Sequence, residues 1–437
     1  MWKKVLTSIL GIALILGTFV TLEKILPKQE PIVIETAADM PEKDIGPVSA
    51  FSVDAKGAIL IDAESGEVLF QQDAHKELPL ASVTKVMTML LVMEAVDEGR
   101  ISLEDQVTIS ERAAKMGGSQ MFMEPGETHT VAELMKGVAM ASANDGCVAL
   151  SEHVAGSEEI FVERMNGKAV ELGMRDTHFV NTNGLPVENH YSSAFDIATM
   201  SRELYKYEET HEWFTTWQST ITIGLPGKEK EFGLTNTNKL IKHYPGCNGI
   251  KTGFTSDAGY CLSASATRDE THFIAVALGC TTSQIRNAQI CKMLDYGFAN
   301  FQSHIVAREG QTMARMDIKR GTPQKIDVLS GEKISVLVPK GKTDIVKWEL
   351  ETDKEVKLPL KTGDRVGDIK VIKGDETVGT YPLIAAVDVE KASYKELLKR
   401  MISPNSDKEY GKTEGEESEE SGEREESENS EKGGEER

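Results

Sequence analysis

From Val83 to Met93 the chain reads as one helix, and beyond Lys85 only Thr88 interrupts its apolar run. A helix that is apolar on every side has no face to offer water, so it must lie inside other structure. The chain therefore has to build a domain large enough to surround it. Its 437 residues, 40% of them hydrophobic, suffice for that. At roughly 150 residues per domain, such a length predicts two or three domains and excludes a wholly disordered chain.

The text around this helix changes type twice. Ala58-Ile59-Leu60-Ile61 and Val68-Leu69-Phe70 flank the polar turn Glu64-Ser65-Gly66-Glu67, which is a hairpin signal. Helical patterns then run to about residue 210. Strand patterns return at Ser219–Ile223, Tyr260–Ala266 and His272–Leu278, and Gln284–Phe298 reads as a closing helix. Strands, then helices, then strands predict an α+β domain over residues 48–300.

Over residues 305–390 apolar and polar residues alternate, as at Met316/Ile318, Ile326/Val328, Ile334/Val336/Val338 and Val356/Leu358/Leu360. Glycine turns separate them at Ser330-Gly331-Glu332, Lys340-Gly341-Lys342 and Lys373-Gly374-Asp375, predicting a small β-sandwich. In residues 391–403, Tyr394, Leu397, Leu398, Met401 and Ile402 share one helical face and Lys391, Lys395, Lys399 and Arg400 occupy the rest. A basic amphipathic helix of this kind suits an anionic membrane surface; capping the sandwich is the structural alternative.

The two ends set the compartment and most of the charge asymmetry. Trp2-Lys3-Lys4 precedes an uncharged run from Val5 to Leu22, so residues 1–30 read as a signal peptide or an uncleaved anchor. Thr36-Ala37-Ala38 offers a small-residue cleavage pattern, and the Pro-, Glu- and Lys-rich residues 31–47 read as a linker. Either form of the N-terminus makes the body exported and extracytoplasmic. Net charge is −21, and residues 404–437 contribute −9 of it as a Glu/Ser/Gly tail expected to be disordered. No basic stripe of the kind a nucleic-acid binder needs is present, so nucleic acid is excluded as a partner. Cys147, Cys247, Cys261, Cys280 and Cys291 are odd in number and form no C-x-x-C motif, which predicts free, mostly buried thiols.

Chemistry concentrates at the start of the buried helix. In Ala81-Ser82-Val83-Thr84-Lys85, one helical turn brings Lys85 to the face of Ser82. A serine hydroxyl needs a base, and a lysine serves if burial lowers its pKa. Free N–H groups at a helix start also suit an oxyanion. Alone, S-x-x-K is better explained by a serine cap followed by a surface lysine. Two further motifs strengthen the catalytic reading. Ser142-Ala143-Asn144 offers a hydroxyl and a carboxamide to relay a proton and orient an amide. Lys251-Thr252-Gly253, on a strand, offers a cation and a hydroxyl for a carboxylate, with a glycine that lets a substrate backbone approach.

S-x-x-K, S-x-N and K-T-G in that order form the signature of penicillin-interacting serine enzymes. The stretches Gly173–Phe179, Asn183-Gly184-Leu185, Asn236–Leu240 and Tyr244-Pro245-Gly246 leading into Gly249–Gly253 resemble the D-alanyl-D-alanine carboxypeptidases, the low-molecular-weight penicillin-binding proteins. The resemblance is strong over residues 48–300. It extends more weakly into the β-rich region and terminal helix, which look like that family's second domain and membrane-associating helix. It implies the penicillin-binding, β-lactamase-like transpeptidase fold, an antiparallel sheet plus a helical cluster. Ser82 would attack the penultimate D-alanine carbonyl of a peptidoglycan pentapeptide ending in D-Ala-D-Ala, with Lys85 as base. Ser142 and Asn144 would move protons and hold substrate, and Lys251 and Thr252, beside Gly253, would bind the terminal carboxylate. The backbone N–H groups of Ser82 and Phe254 would form the oxyanion hole. The resemblance also implies covalent binding of β-lactam antibiotics, residence at the outer face of the cytoplasmic membrane, and no metal or organic cofactor.

Rival readings have less to stand on. His178, His190 and His243 suggest a Ser-His-Asp site, but no G-x-S-x-G elbow surrounds any serine. A β-lactamase needs a glutamate for its deacylating water. Glu163-Arg164-Met165-Asn166 lies only 21 residues past Ser142 on a predicted helix and reads as helix surface. A non-catalytic wall-binding scaffold would have no need of all three motifs intact. A second K-T-G, Lys361-Thr362-Gly363, falls in the β-rich region and reads as a turn. Cys147 and Cys247 flank the motifs without an assigned role.

Overall fold

The structure, a computed structural model, describes residues 51–353 and 356–402. The predicted signal or anchor, the linker 31–47 and the tail 404–437 lie outside them. Among the described residues no helix is long and apolar enough to cross a membrane.

Five strands form the central sheet in the order Val68–Gln72, Gly57–Asp62, Thr271–Cys280, Gly259–Arg268, Cys247–Thr255, each pair antiparallel. The N-terminal hairpin thus pairs with a strand some 200 residues away in sequence. Both faces of the sheet are covered, and the period-two alternation shows by what. Ile274, Val276 and Leu278 join Ile59 and Ile61 in the core under the helical cluster. Phe273, Ala275 and Ala277 join Ala58 and Leu60 under the helix Ser283–Asn300. The alanines let that helix lie close to the sheet; at Gly297 a Cβ would come within 2.9 Å of the Phe273 ring.

The apolar helix runs Lys85–Asp97 and is buried at ten positions, including Lys85 and Thr88. Helices Val131–Met140, Asn144–Ala155, Glu158–Glu171 and Ala194–Leu204 surround it. The sequence predicts its start at Val83; instead a 3-10 turn, Ala81–Thr84, precedes the α-helix. Ala81 takes φ +49°, outside the helical region, and the chain needs this tighter turn to recover helical geometry.

The C-terminal region is β-rich. Phe301–Ala307 pairs with Ile334–Pro339, and a five-stranded sheet runs Thr312–Asp317, Lys325–Ser330, Glu376–Ala385, Arg365–Lys373, Val346–Thr352. Val328, Val336, Val338, Ile369, Val371 and Leu383 fill a shared core. The alternating Val356, Leu358 and Leu360 form no strand; Leu360 makes one isolated bridge to Val389. Conversely, Arg365–Lys373 forms a strand that the sequence reading does not single out; Ile369 and Val371 alternate with Asp368 and Lys370, and a register shift at Arg365/Gly367 breaks the pattern only at its start. Leu337 reaches into the core under Ser283–Asn300, and Lys333 bonds Glu64 and Glu270, tying this region to the first. The terminal helix is Tyr394–Ile402, shorter than predicted because Lys391 pairs with Gly321 in a two-residue bridge. None of its residues is buried, and Tyr394, Met401 and Ile402 are at least 75% exposed.

Candidate active site

The site begins with a pinned carbonyl. Val180 N–H donates to His190 Nδ1 (3.0 Å), which leaves the ring proton on Nε2. Nε2–H donates to Thr84 Oγ1 (2.8 Å), and that hydroxyl donates to Ala81 O (2.8 Å). Burial lowers the His190 pKa to about 4, so the ring is neutral near pH 7 and this chain keeps its polarity. Gly184 crosses against the same carbonyl with φ +84°; a Cβ there would sit 1.8 Å from Ala81 O. Only glycine permits that approach. Together these contacts hold Ala81 in its left-handed conformation and aim Ser82.

Lys85 lies wholly inside. Its Nζ donates to Ser82 Oγ (2.9 Å) and to Asn183 O (2.6 Å). Burial lowers its pKa to about 8, although the charge of Asp145 opposes the shift. Thr88, one turn on, donates to Thr182 O (2.6 Å). Both polar side chains inside this apolar helix thus grip one loop, residues 181–185. Asn181 Oδ1 accepts the N–H groups of Asn183 and Gly184, and Asn183 Oδ1 accepts that of Leu185, which fixes the loop's turn.

Ser142 and Asn144 sit where Val131–Met140 gives way to Asn144–Ala155, with Ser142 at φ +61°. Asn144 Nδ2 donates to Gly117 O (2.6 Å). The buried Asp145 carboxylate accepts the N–H groups of Met121, Phe122 and Gly146, folding the 117–123 loop against this junction. Burial pushes its pKa up against those bonds. Ser142 Oγ, Asn144 Oδ1 and Asn183 Nδ2 are buried without a hydrogen-bond partner. Buried polar atoms are rarely left so, and groups without partners at a catalytic cleft suit a substrate.

Lys251 and Thr252 lie buried on the edge strand Cys247–Thr255. Lys251 Nζ donates to Thr252 O (3.1 Å). Burial, and then the positive charge of Lys85, hold its pKa well below the ordinary lysine value. Thr252 Oγ1 donates to Thr237 Oγ1 (2.7 Å), and Thr237 N–H donates to Met140 O (3.1 Å), so the strand is coupled to the helix that ends just before Ser142. A Cβ on Gly253 would fall 2.7 Å from Leu80 O and 3.1 Å from Ser82 N. The glycine therefore lets the strand lie directly against the nucleophile turn. Phe254 follows, 54% exposed, its ring 4.3 Å from that of Tyr260.

The three motifs therefore meet around one Ser–Lys pair. The second K-T-G does not join them: Lys361 and Thr362 bond Asp388 in the β-rich region. Glu163 is exposed on the helix Glu158–Glu171. All five cysteines are free; Cys147, next to Lys85, has its pKa pushed up to about 12 by burial and remains a thiol. Asn183, Thr237, Thr84 and Asp145 received no role from the sequence, and His190 only a place in the Ser-His-Asp reading. Asn183 and Thr237 lie in stretches resembling the family, and Thr84 and Asp145 lie within or beside a motif; their contacts use backbone atoms or cross long sequence separations, which no local pattern shows.

Fold and site together define the penicillin-interacting class of serine hydrolases. The family model described as D-alanyl-D-alanine carboxypeptidase matches residues 44–282, and that of the penicillin-binding protein 5 C-terminal domain matches 301–391. D-alanyl-D-alanine carboxypeptidase DacF of Bacillus subtilis is 44% identical over 355 residues, 81% of this chain and 90% of that protein. DacC of Escherichia coli is 35% identical over 79% of this chain and 87% of that protein. Among solved structures, penicillin binding protein 5 from Haemophilus influenzae aligns with a TM-score of 0.61 at 30% identity, covering 79% of this chain and 100% of that one. The chain belongs to the D-alanyl-D-alanine carboxypeptidase family of serine peptidases.

The closest backbone contact of the site yields a test. Gly184→Ala puts a Cβ on the Ala81 carbonyl at a positive φ. It should destabilise the fold by about 2 kcal/mol or more through strain and displaced hydrogen bonds. Thermal unfolding followed by circular dichroism checks this, and a melting temperature equal to wild type would disprove the pinning role.

Proposed function

We propose that this protein removes the terminal D-alanine from peptidoglycan stem peptides ending in D-Ala-D-Ala, through an acyl-enzyme on Ser82. The contact that carries the reading is Lys85 Nζ at 2.9 Å from Ser82 Oγ, with the lysine buried and its pKa lowered to about 8. Neutral Lys85 keeps one N–H on Asn183 O and turns its lone pair to the serine proton. Ser82 Oγ then attacks the penultimate carbonyl, whose developing oxyanion takes the N–H groups of Ser82 and Phe254. The C–N bond breaks as the proton passes from Lys85 by way of Ser142 to the leaving amine. Water then hydrolyses the ester and restores Ser82.

Asn144 holds the substrate amide, and Thr252 and Lys251 take the terminal carboxylate. Burial and the charge of Lys85 lower the pKa of Lys251, and the arriving carboxylate provides the counter-charge that favours its protonated form. A β-lactam acylates the same serine. Its opened ring stays tethered, and Glu163, the glutamate the sequence offers for a deacylating water, is exposed on its helix, so deacylation is slow. The β-lactamase reading loses support because Glu163 faces solvent. The scaffold reading loses support because the catalytic groups are assembled.

Further proposals concern placement. Residues 48–300 form the catalytic domain, 305–390 a β-rich second domain, and 391–403 a membrane-surface helix at the outer face of the cytoplasmic membrane, with residues 1–30 an export signal or anchor. The helix supports this: among the described residues Tyr394, Met401 and Ile402 stay exposed, and Lys395 and Lys399 flank them.

Three measurements test these proposals. Ser82→Ala should abolish covalent labelling by a fluorescent penicillin and cut D-alanine release about a thousandfold or more; labelling that persists would identify another nucleophile. Lys85 is protonated and inactive as a base below its pKa, so kcat/KM should rise with pH along a limb centred near 8. A flat profile between about pH 6.5 and about pH 9.5, roughly one and a half units either side of that value, would remove Lys85 as the base. Deleting residues 391–437 from protein lacking residues 1–45 should lower partitioning onto anionic vesicles, and unchanged partitioning would sink the membrane role.

A further inference from the structure

The α+β and β-rich regions meet without a loop. The helix Ser283–Asn300 stops at Asn300, and the strand Phe301–Ala307 starts at the next residue. Apolar packing across the seam sits at this end, where Phe301 and Leu337 join the core under the helix. Further along, the seam opens into a cavity of about 450 Å³. Arg202, Tyr205 and His272 line one side, and Ser335, Val378 and Tyr381 the other. His272 Nε2 is buried there without a hydrogen-bond partner. So hollow a seam does not by itself fix the angle between two regions, because relative motion is the default where an interface is neither large nor apolar.

Beyond the cavity the contact is ionic. An extended strand advances about 3.3 Å per residue, so Arg308, just past Ala307, stands roughly 20 Å from the junction. Arg308 Nη1 meets Glu270 Oε1 at 3.2 Å, and Glu270 Oε2 meets Lys333 Nζ at 3.0 Å. Lys333 Nζ also reaches Glu64 Oε1 at 3.1 Å, and Lys373 Nζ meets Glu67 Oε2 at 2.8 Å. Among the described residues, every ion pair across the seam has its acid on the α+β region and its cation on the β-rich region. One exposed pair holds little, but Glu64, Lys333, Glu270 and Arg308 form a chain of alternating charge that acts as a network. With one sign on each side, neither face satisfies its own charges, and closure is what pairs them.

The turn that presents Glu270 carries strain. Asp269 and Glu270 join the paired residues Arg268 and Thr271, and both take positive φ, +47° and +65°. Two-residue hairpin turns of this kind favour Asn-Gly, and a glutamate in the glycine place persists only where its surroundings hold it. Lys333 and then Arg308 bond its carboxylate and lower its pKa.

We infer that Asn300–Phe301 is a hinge and that these one-sided ion pairs are its latch, which fixes the angle between the two regions and releases it as ionic strength rises. The β-rich region also seats the helix Tyr394–Ile402, through Arg400 Nη1 to Gly321 O (2.9 Å). Release of the latch therefore turns the Ser82 cleft relative to that helix.

The test uses the full-length protein with nitroxide labels at Lys76→Cys and Lys347→Cys, one exposed site on each region. Cys291, the one native thiol that is not buried, is changed by Cys291→Ser in every sample. Pulsed electron paramagnetic resonance then reads the distance between labels. At about 0.05 M salt the distribution should be narrow, and at about 1 M, where the Debye length is about 3 Å, it should widen about twofold or more. Glu64→Lys/Glu67→Lys/Glu270→Lys should be wide already at low salt, and so should Arg308→Glu/Lys333→Glu/Lys373→Glu. The protein carrying all six changes pairs opposite charges again and should return to the narrow form. A distribution that salt leaves unchanged, or a six-change protein as wide as either half, would overturn the latch. Where a reversed protein does not fold, the salt response of the unreversed protein decides alone. D-alanine release is not read, so the latch stands or falls separately from the proposed reaction.

Discussion

Burying Lys85 on a helix with no solvent face is the interaction on which the site depends. A lysine there loses its hydration, and neither of its hydrogen-bond partners, a hydroxyl and a backbone carbonyl, is an anion. The charged form is penalised and the pKa descends to about 8. The carbonyl at Asn183 is itself held from the protein's surface inward. Arg112 pairs with the buried Glu158, whose carboxylate takes the N–H and hydroxyl of Thr182, the residue adjacent to Asn183. A surface guanidinium thereby positions, through four links, the group that orients the buried amine. Breaking any link leaves a buried polar group unsatisfied, at about 1–3 kcal/mol, so the arrangement is cooperative.

The second requirement is close approach. The nucleophile turn must lie against both a loop and a strand, and each contact falls where a side chain would not fit. Gly184 meets the Ala81 carbonyl and Gly253 meets Leu80 and Ser82. The sheet supports the second contact from behind. Its strands are buried on both faces, with large aliphatic residues toward the helical cluster and mostly alanines toward the helix Ser283–Asn300. The edge strand is thus backed by a rigid layer while its outer edge stays unpaired. A peptide can pair there without the sheet having to move.

These constraints also explain what the sequence made legible. The all-round apolar helix, the three motifs and the alternating strands of the central sheet are local patterns, and each is visible within about ten residues. The 3-10 turn before Lys85 was not legible, because the left-handed Ala81 that causes it is imposed by Gly184 and His190, each more than a hundred residues away. Asn183 acts on Lys85 through its carbonyl, an atom every residue carries, so no residue type could announce it. In the β-rich region, the alternation that marks the strand at Arg365–Lys373 is short, covering Asp368 to Val371 after a register shift, and alternation of the same length at Val356–Leu360 accompanies no strand. Over so few residues period two does not separate a strand from a loop.

The net charge of −21 says little about the field at the nucleophile. Two buried lysines lie there, the charge of Lys85 helps to lower the pKa of Lys251, and the Asp145 carboxylate is taken up by backbone N–H groups. A cleft so arranged disfavours two full positive charges in the free protein. In the proposed reaction a carboxylate entering beside Thr252 favours a protonated Lys251. Anion and ammonium together are close to neutral, so the second charge arrives already compensated and leaves Lys85 free to act as the base. A peptide lacking that carboxylate would bring no such partner, which ties the proposed specificity for a free chain end to the charge state of Lys251.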